Sequence, residues 1–175
     1  MTTELQIRLV SELFYAGVRP AVDVGNSVSR VGSSAQSPAI KRVSRSLKID
    51  LARYRDVQAF AQFGSDLDAS TRQLLNRGSK LMEILKQPQY DPMKVEKQVA
   101  VLFMATNGFL DEIPAGEVDR FEAEFLRFLE AQQADVLMEI ADTQELTEET
   151  EGRLRTACER FVQEFKDEQE PQAAD

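Results

Sequence analysis

Arg30 is the residue whose setting most suggests chemistry: in the stretch VGNSVSRVGSSAQ (24–36) it is the one charged side chain. A guanidinium is planar and permanently charged, and its fork of N–H donors matches two phosphoryl oxygens at once. Among small Ser, Gly and Val neighbours it could be held out toward a phosphate; it could equally be a solvated loop arginine, the usual state of that residue type. The other reactive types are sparse. Histidine is absent, which removes Ser-His-Asp and Cys-His catalysis, imidazole metal sites and most general-base schemes near neutral pH. Cys158 is the single cysteine, so neither an intrachain disulfide nor a thiolate metal cluster is expected, and its helical spacing suits a small buried hydrophobe. The paired acids Asp111-Glu112, Glu122 and Glu124, and Glu148-Glu149 sit at spacings that diverge around a helix. They read as solvated acidic surface and not as a glycosidase or metal constellation. With carboxylates, Lys and Arg alone, a self-contained enzyme is not expected.

The 175 residues, 42% hydrophobic and 29% charged, fit one soluble domain or one domain with a piece of another. No apolar run approaches the roughly 20 residues that span a bilayer, and MTTELQIRLV lacks the layout of a secretory signal. Charge is uneven. Residues 1–100 carry 15 Lys/Arg against 10 Asp/Glu, a balance of +5, and residues 101–175 carry 6 against 20, a balance of −14. The basic half suits nucleotide phosphate, but the acidic half and the lack of Trp argue against a nucleic-acid binder.

These residues must be positioned by two kinds of element. LQIRLV, SELFY and PAVDV are short β-prone pieces separated by Gly17 and Pro20. They are too few to form an independent sheet and read as the edge of a larger domain. From Ser37 the pattern turns helical. Ser37 suits an N-cap and Pro38 the first helical position. Ile40, Val43, Leu47, Leu51, Tyr54, Val57 and Ala61 then mark one buried face, with Lys41, Arg42, Arg45, Lys48, Arg53 and Arg55 on solvated faces. A second helix is expected from Asp68 to Leu85, stopped by Pro88. A third, capped by Asp91-Pro92, carries Val95, Val99, Leu102 and Phe103 and ends at Asn107-Gly108. Val118, Phe121, Phe125, Phe128 and Leu129 define a fourth face, which reads as core packing and not as an aromatic ligand box. A short segment at Val136–Ile140 and a last helix capped by Thr147 follow. The tail DEQEPQAAD is expected to fray. The predicted fold is mainly α: a bundle of five to six helices preceded by a short β-prone remnant.

The stretches GVRPAVDVGNSVSRVGSSAQ, AFAQFGSDLD, LNRG, EILKQPQYDPMKVEKQVAVLF and FLDEIP…FEAEFL closely resemble the alpha-subunit family of the F-type ATP synthase catalytic head. Order and spacing agree from about Gln6 to Phe165, within the C-terminal part of that family. The resemblance divides the sequence into a remnant of a nucleotide-binding α/β domain (1–36), an α-helical C-terminal domain (37–168) and an acidic tail (169–175). It implies a non-catalytic, regulatory part of a proton-translocating ATP synthase. The implied partners are the beta subunit and the central rotor shaft, with no nucleic acid and no direct membrane insertion. The implied location is the cytoplasmic or organelle-matrix side of a membrane, reached through the complex. ATP or ADP with Mg is the implied cofactor of the intact complex. No GxxxxGK[ST] phosphate loop is present, so the protein alone is expected neither to hold nucleotide tightly nor to be active.

The resemblance also implies site roles. Arg30, in SVSRVG, falls on the family's arginine finger, acting in trans on the beta subunit's site, with Val28 and Ser29 shaping the same interface. Arg19 and Pro20 match positions lining the adenine of a non-catalytic nucleotide, and Gln87 and Gln89 the opposite wall. FLDEIP and the helix after it match a rotor-facing region. The sequence departs from the family pattern at Asn26 (usually Leu), Arg8 (an apolar aromatic), Val10 (Glu) and Asp23 (Asn), which bears on the geometry of the arginine loop. The competing reading is an autonomous or engineered helical protein-interaction domain without an ATPase role.

Overall fold

A computed structural model describes residues 5–61 and 67–169. The middle of AFAQFGSDLD, the first four residues and the end of the tail (170–175) lie outside the described residues. Two short strands and nine α-helices are assigned among those described. Strand β1 (Leu5–Gln6) pairs antiparallel with β2 (Val28–Ser29), Leu5 opposite Ser29 and Gln6 opposite Val28, and an isolated bridge joins Leu9 to Val22. Between them SELFY is not the strand expected. It forms helix α1 (Ser11–Tyr15), because the backbone must reverse for 21–29 to run back along 5–10, and one helical turn makes that reversal. Its β-prone Phe14 and Tyr15 remain exposed, so no pleated surface was there to favour a strand. Helix α2 (Gly32–Ala35) follows β2.

The bundle begins as expected. Ser37 caps helix α3 (Pro38–Ser44), its hydroxyl accepting from the Ile40 amide at 3.3 Å, with Pro38 at the first position. The expected single helix from Ser37 to Ala61 is instead two, α3 and α4 (Leu47–Ala61). At the break the Ser44 hydroxyl donates to the Ile40 carbonyl (2.7 Å), the kind of local bond that competes with helix continuation. The apolar face of α4 is also shallower than its periodicity implies. Leu51 is buried, whereas Tyr54, Val57 and Ala61 are partly covered and Phe60 is 77% exposed. The main neighbour of α4 is α5 (Ala69–Ile84). A Cβ at Gly78 would run into the Tyr54 ring, so glycine permits this close crossing.

Asp68 caps α5 with its Oδ1 accepting from the Thr71 amide at 2.9 Å. Helix α6 (Val95–Thr106) starts at Lys94, which offers no side-chain cap, and not at Asp91-Pro92 as expected. The Gln98 amide instead donates to the Met93 carbonyl (2.7 Å), tying down the approach to the helix. α6 is apolar on nearly every side and packs against five other helices, so it forms the bundle's axis. The turn Gly108–Pro114 leads to α7 (Val118–Gln132), then α8 (Ala134–Thr143) and α9 (Glu148–Gln169). Thr147 caps α9 as expected, accepting from the Thr150 amide at 3.1 Å. α9 continues through Asp167, Glu168 and Gln169, so the first residues of the expected frayed tail are helical. Phe121, Phe125, Phe128 and Leu129 are all buried, as is Cys158. No helix of the described residues is long and apolar enough to cross a membrane.

Candidate functional site

Arg30 stands at the exit of β2, one residue before Val31 opens α2. Ladder pairing to β1 fixes the two residues before it. After it, the Ser29 hydroxyl accepts from the Gly32 amide at 2.7 Å, bridging the turn that carries Arg30 and Val31. Ser29, Arg30 and Val31 are exposed, and Val28 is 54% exposed. The Arg30 side chain makes no ion pair with any described residue, while Arg42 and Arg55, on helices expected to be merely solvated, do. Arg42 pairs with Glu151 at 2.5 Å and Arg55 with Asp23 at 2.6 Å. The guanidinium of Arg30 is therefore presented outward from a backbone held on both sides.

Two of the four residues matched to an adenine pocket come together. Gln87 donates its backbone N–H to the Arg19 carbonyl (2.8 Å), and both residues line a cavity of about 700 Å³ between the N-terminal segment, the α5–α6 connection, α6 and α7. The Arg19 guanidinium lies 4.5 Å from the Phe14 ring centroid, a cation–π arrangement that fixes its direction. The Gln87 amide nitrogen donates to the Asp91 carbonyl (2.7 Å), and its oxygen accepts from no described residue. Pro20, joined to Arg19 by a cis peptide bond, and Gln89 are exposed and do not line this cavity. Lys86, Lys94, Lys97 and Glu122 do line it. Residue type and spacing gave no sign of them, because the cavity is assembled from four separate parts of the chain.

Glu122, expected on the solvated surface, is half-buried. Burial first, and the Asp119 carboxylate one turn earlier, push its carboxyl up to about 7. Between the ordinary carboxylate range and pH 7, the unfolded state releases this proton while the folded state keeps it. Stability therefore falls as pH rises through that window. Discounted for the part of the side chain that stays wet, the loss is about 1–2 kcal/mol between pH 5 and pH 8. Urea denaturation at both values should show this difference in the parent and little of it in Glu122→Gln; equal pH dependence in the two would contradict the assignment.

Asp111 and Glu112, also expected to be free acids, are engaged. Arg77 pairs with the Asp111 carboxylate and Lys166 with Glu112. The Asp111 carbonyl accepts from Asn76 (2.8 Å) and from Lys80 (2.7 Å), and Lys80 also reaches the Leu110 carbonyl at 2.7 Å. Lys80 is 3% exposed, and burial moves its ammonium below the ordinary lysine value. LNRG thus contributes a donor set that fastens FLDEIP onto α5. Among the described residues no group of three or more His, Cys, Asp or Glu is placed to hold a metal ion.

Residues 36–161 match the family described as ATP synthase alpha/beta chain, C terminal domain. The matched span opens one residue before the Ser37 cap and closes at Phe161 in α9, enclosing the seven-helix bundle almost entirely. Mainly helical architecture and family match cover the same residues, and on that agreement the protein belongs to the family of C-terminal domains of ATP synthase alpha and beta subunits.

Proposed function

We propose that the protein is the C-terminal part of an alpha-type subunit of a proton-translocating ATP synthase head, non-catalytic itself, donating Arg30 to a neighbouring beta subunit's site. The observation that carries this reading is the presentation of Arg30: exposed, in no ion pair with a described residue, and held between a strand and a helix within SVSRVG. In that role the guanidinium neutralises charge on a transferring phosphoryl group, with Val28 and Ser29 shaping the contact. Arg19 and Gln87 are read as two edges of an adenine pocket, the Gln87 side-chain oxygen suiting an amino-group donor. Pro20 and Gln89 serve the same nucleotide (ATP or ADP with Mg) only from outside the cavity described above. The fastened FLDEIP turn is read as facing the central rotor shaft, on the cytoplasmic or organelle-matrix side of the membrane.

Co-purification of the tagged protein with an ATP synthase beta subunit and the rotor subunits tests this. Recovery of a stoichiometric beta partner is the expected result; failure to bind beta, with recovery of unrelated partners, would overturn it. One observation favours a second reading, an autonomous interaction module. The N-terminal ribbon exposes Leu5, Ile7, Leu9, Phe14, Tyr15 and Val28, a patch of the kind that marks a binding surface.

A further inference from the structure

Among the described residues the N-terminal segment and the helical bundle meet through few polar contacts, and one of them leads directly to the arginine loop. Arg55 projects from α4, and its Nη1 donates to Asp23 Oδ1 at 2.6 Å. The same oxygen accepts from the backbone amides of Gly25 (3.0 Å) and Asn26 (3.2 Å), while Oδ2 accepts from the Asn26 side-chain amide at 2.6 Å. Ser27 returns to the Asp23 carbonyl with its N–H (2.9 Å) and its hydroxyl (2.6 Å), and its Oγ accepts from the Arg8 amide at 3.0 Å. Val28 and Ser29 then enter the ladder with β1, and Arg30 follows. A Cβ at Gly25 would sit 2.8 Å from Arg55 Nη1, so the guanidinium approaches this turn over the bare glycine backbone.

We propose that Arg55, acting through Asp23, is a positioning residue for Arg30. The proposal rests on the reading of Arg30 as a residue that works on a partner's phosphate. Two of the departures from the pattern the sequence resembles, Asp23 and Asn26, are explained together. The Asn26 amide and the Arg55 guanidinium share one carboxylate, so the changes form a unit that builds a charged clamp at the base of the loop. The Asn26 hydrogen bond first, and Arg55 after it, hold the Asp23 carboxyl well below the usual carboxylate range. The clamp accordingly stays ionised through neutral pH. Misplacing a reacting group by about 1 Å can cost 10²-fold in rate, which makes a contact at the root of a three-residue lever consequential.

Two measurements test it. In the full-length protein, Arg55→Ala should lower backbone order parameters over residues 25–31 from a rigid value of about 0.85 toward 0.6. Arg55→Lys should restore most of that order, and helices α6–α9 should be unchanged. Unaltered order in Arg55→Ala overturns the proposal. In a catalytic head assembled with a beta partner and supplied with MgATP, Arg55→Ala should reduce kcat by roughly 10- to 100-fold with KM little changed. Adding it to Arg30→Ala should cost nothing further, since Arg55 acts through Arg30. Additive losses, or a full-rate Arg55→Ala, overturn the positioning role. A full-rate Arg30→Ala instead overturns the reading of Arg30, and that single variant tells the two failures apart.

Discussion

Arg30→Ala, placed in a catalytic head assembled with a beta partner, is expected to slow ATP turnover by about 10³-fold or more. Nucleotide affinity should change far less. The asymmetry follows from what the residue is asked to do. A guanidinium supplied from a neighbouring subunit meets charge that grows on the phosphoryl oxygens as the bond to the leaving group lengthens, so its contribution is concentrated in the transition state. Lysine should rescue poorly, because an ammonium is a point charge and cannot make the two parallel bonds of the fork. The fold should be indifferent, since Arg30 is exposed and its side chain makes no ion pair with any described residue. Equal melting temperatures for parent and Arg30→Ala, alongside the loss of rate, would separate chemistry from folding. A full-rate mutant would end the assignment.

Helical elements whose signals are local were legible in the amino-acid order. Ser37-Pro38, Asp68 and Thr147 announce their helices because a cap is a bond between residues three apart. The Phe121, Phe125 and Phe128 face is legible for a similar reason, since periodicity reports the side a helix turns inward. SELFY was not legible as a helix. Its residue types prefer strands, and its conformation is dictated by the reversal needed to pair β1 with β2. The periodicity of α4 likewise overstated its burial, because a pattern shows which face is apolar and not whether a neighbour covers it.

The candidate site divides along the same line. Arg30 stands out in sequence because everything around it is small and neutral. Its clamp does not: Arg55 lies 32 residues from Asp23 and looked like one cation among six on a wet face. Arg77 and Lys80 were equally hidden, lying 34 and 31 residues from the Asp111 they hold. Only a tertiary structure could pair them, although Asp23, Gly25 and Asn26 within four residues are themselves a readable turn signal. Glu122 shows the opposite failure. Its i−3 and i+2 neighbours Asp119 and Glu124 are acidic, which suggests a wet face, but the cavity wall it joins removes water from the carboxyl.

Phe121→Ala should be the most damaging single substitution in the bundle, at about 3–5 kcal/mol. The ring is fully buried and meets Phe161 and Phe165 edge-on at centroid distances of 4.9 and 4.8 Å. Truncation loses the transfer free energy of a whole ring and opens a cavity that two other rings of α9 cannot both move to fill. It also removes edge-to-face pairs worth up to about 1.5 kcal/mol each beyond the area they bury. Against a total stability of about 5–15 kcal/mol this is a large share, and it corresponds to a fall in melting temperature of about 8–15 °C for a domain of this size. Phe60→Ala is the control: the same chemical change on a side chain 77% exposed should cost less than about 0.5 kcal/mol. Chemical denaturation of the two variants reads the difference directly. A loss below about 1 kcal/mol for Phe121→Ala would mean that α7 and α9 are not joined through this aromatic cluster, and the packing that holds the bundle together would have to be sought elsewhere.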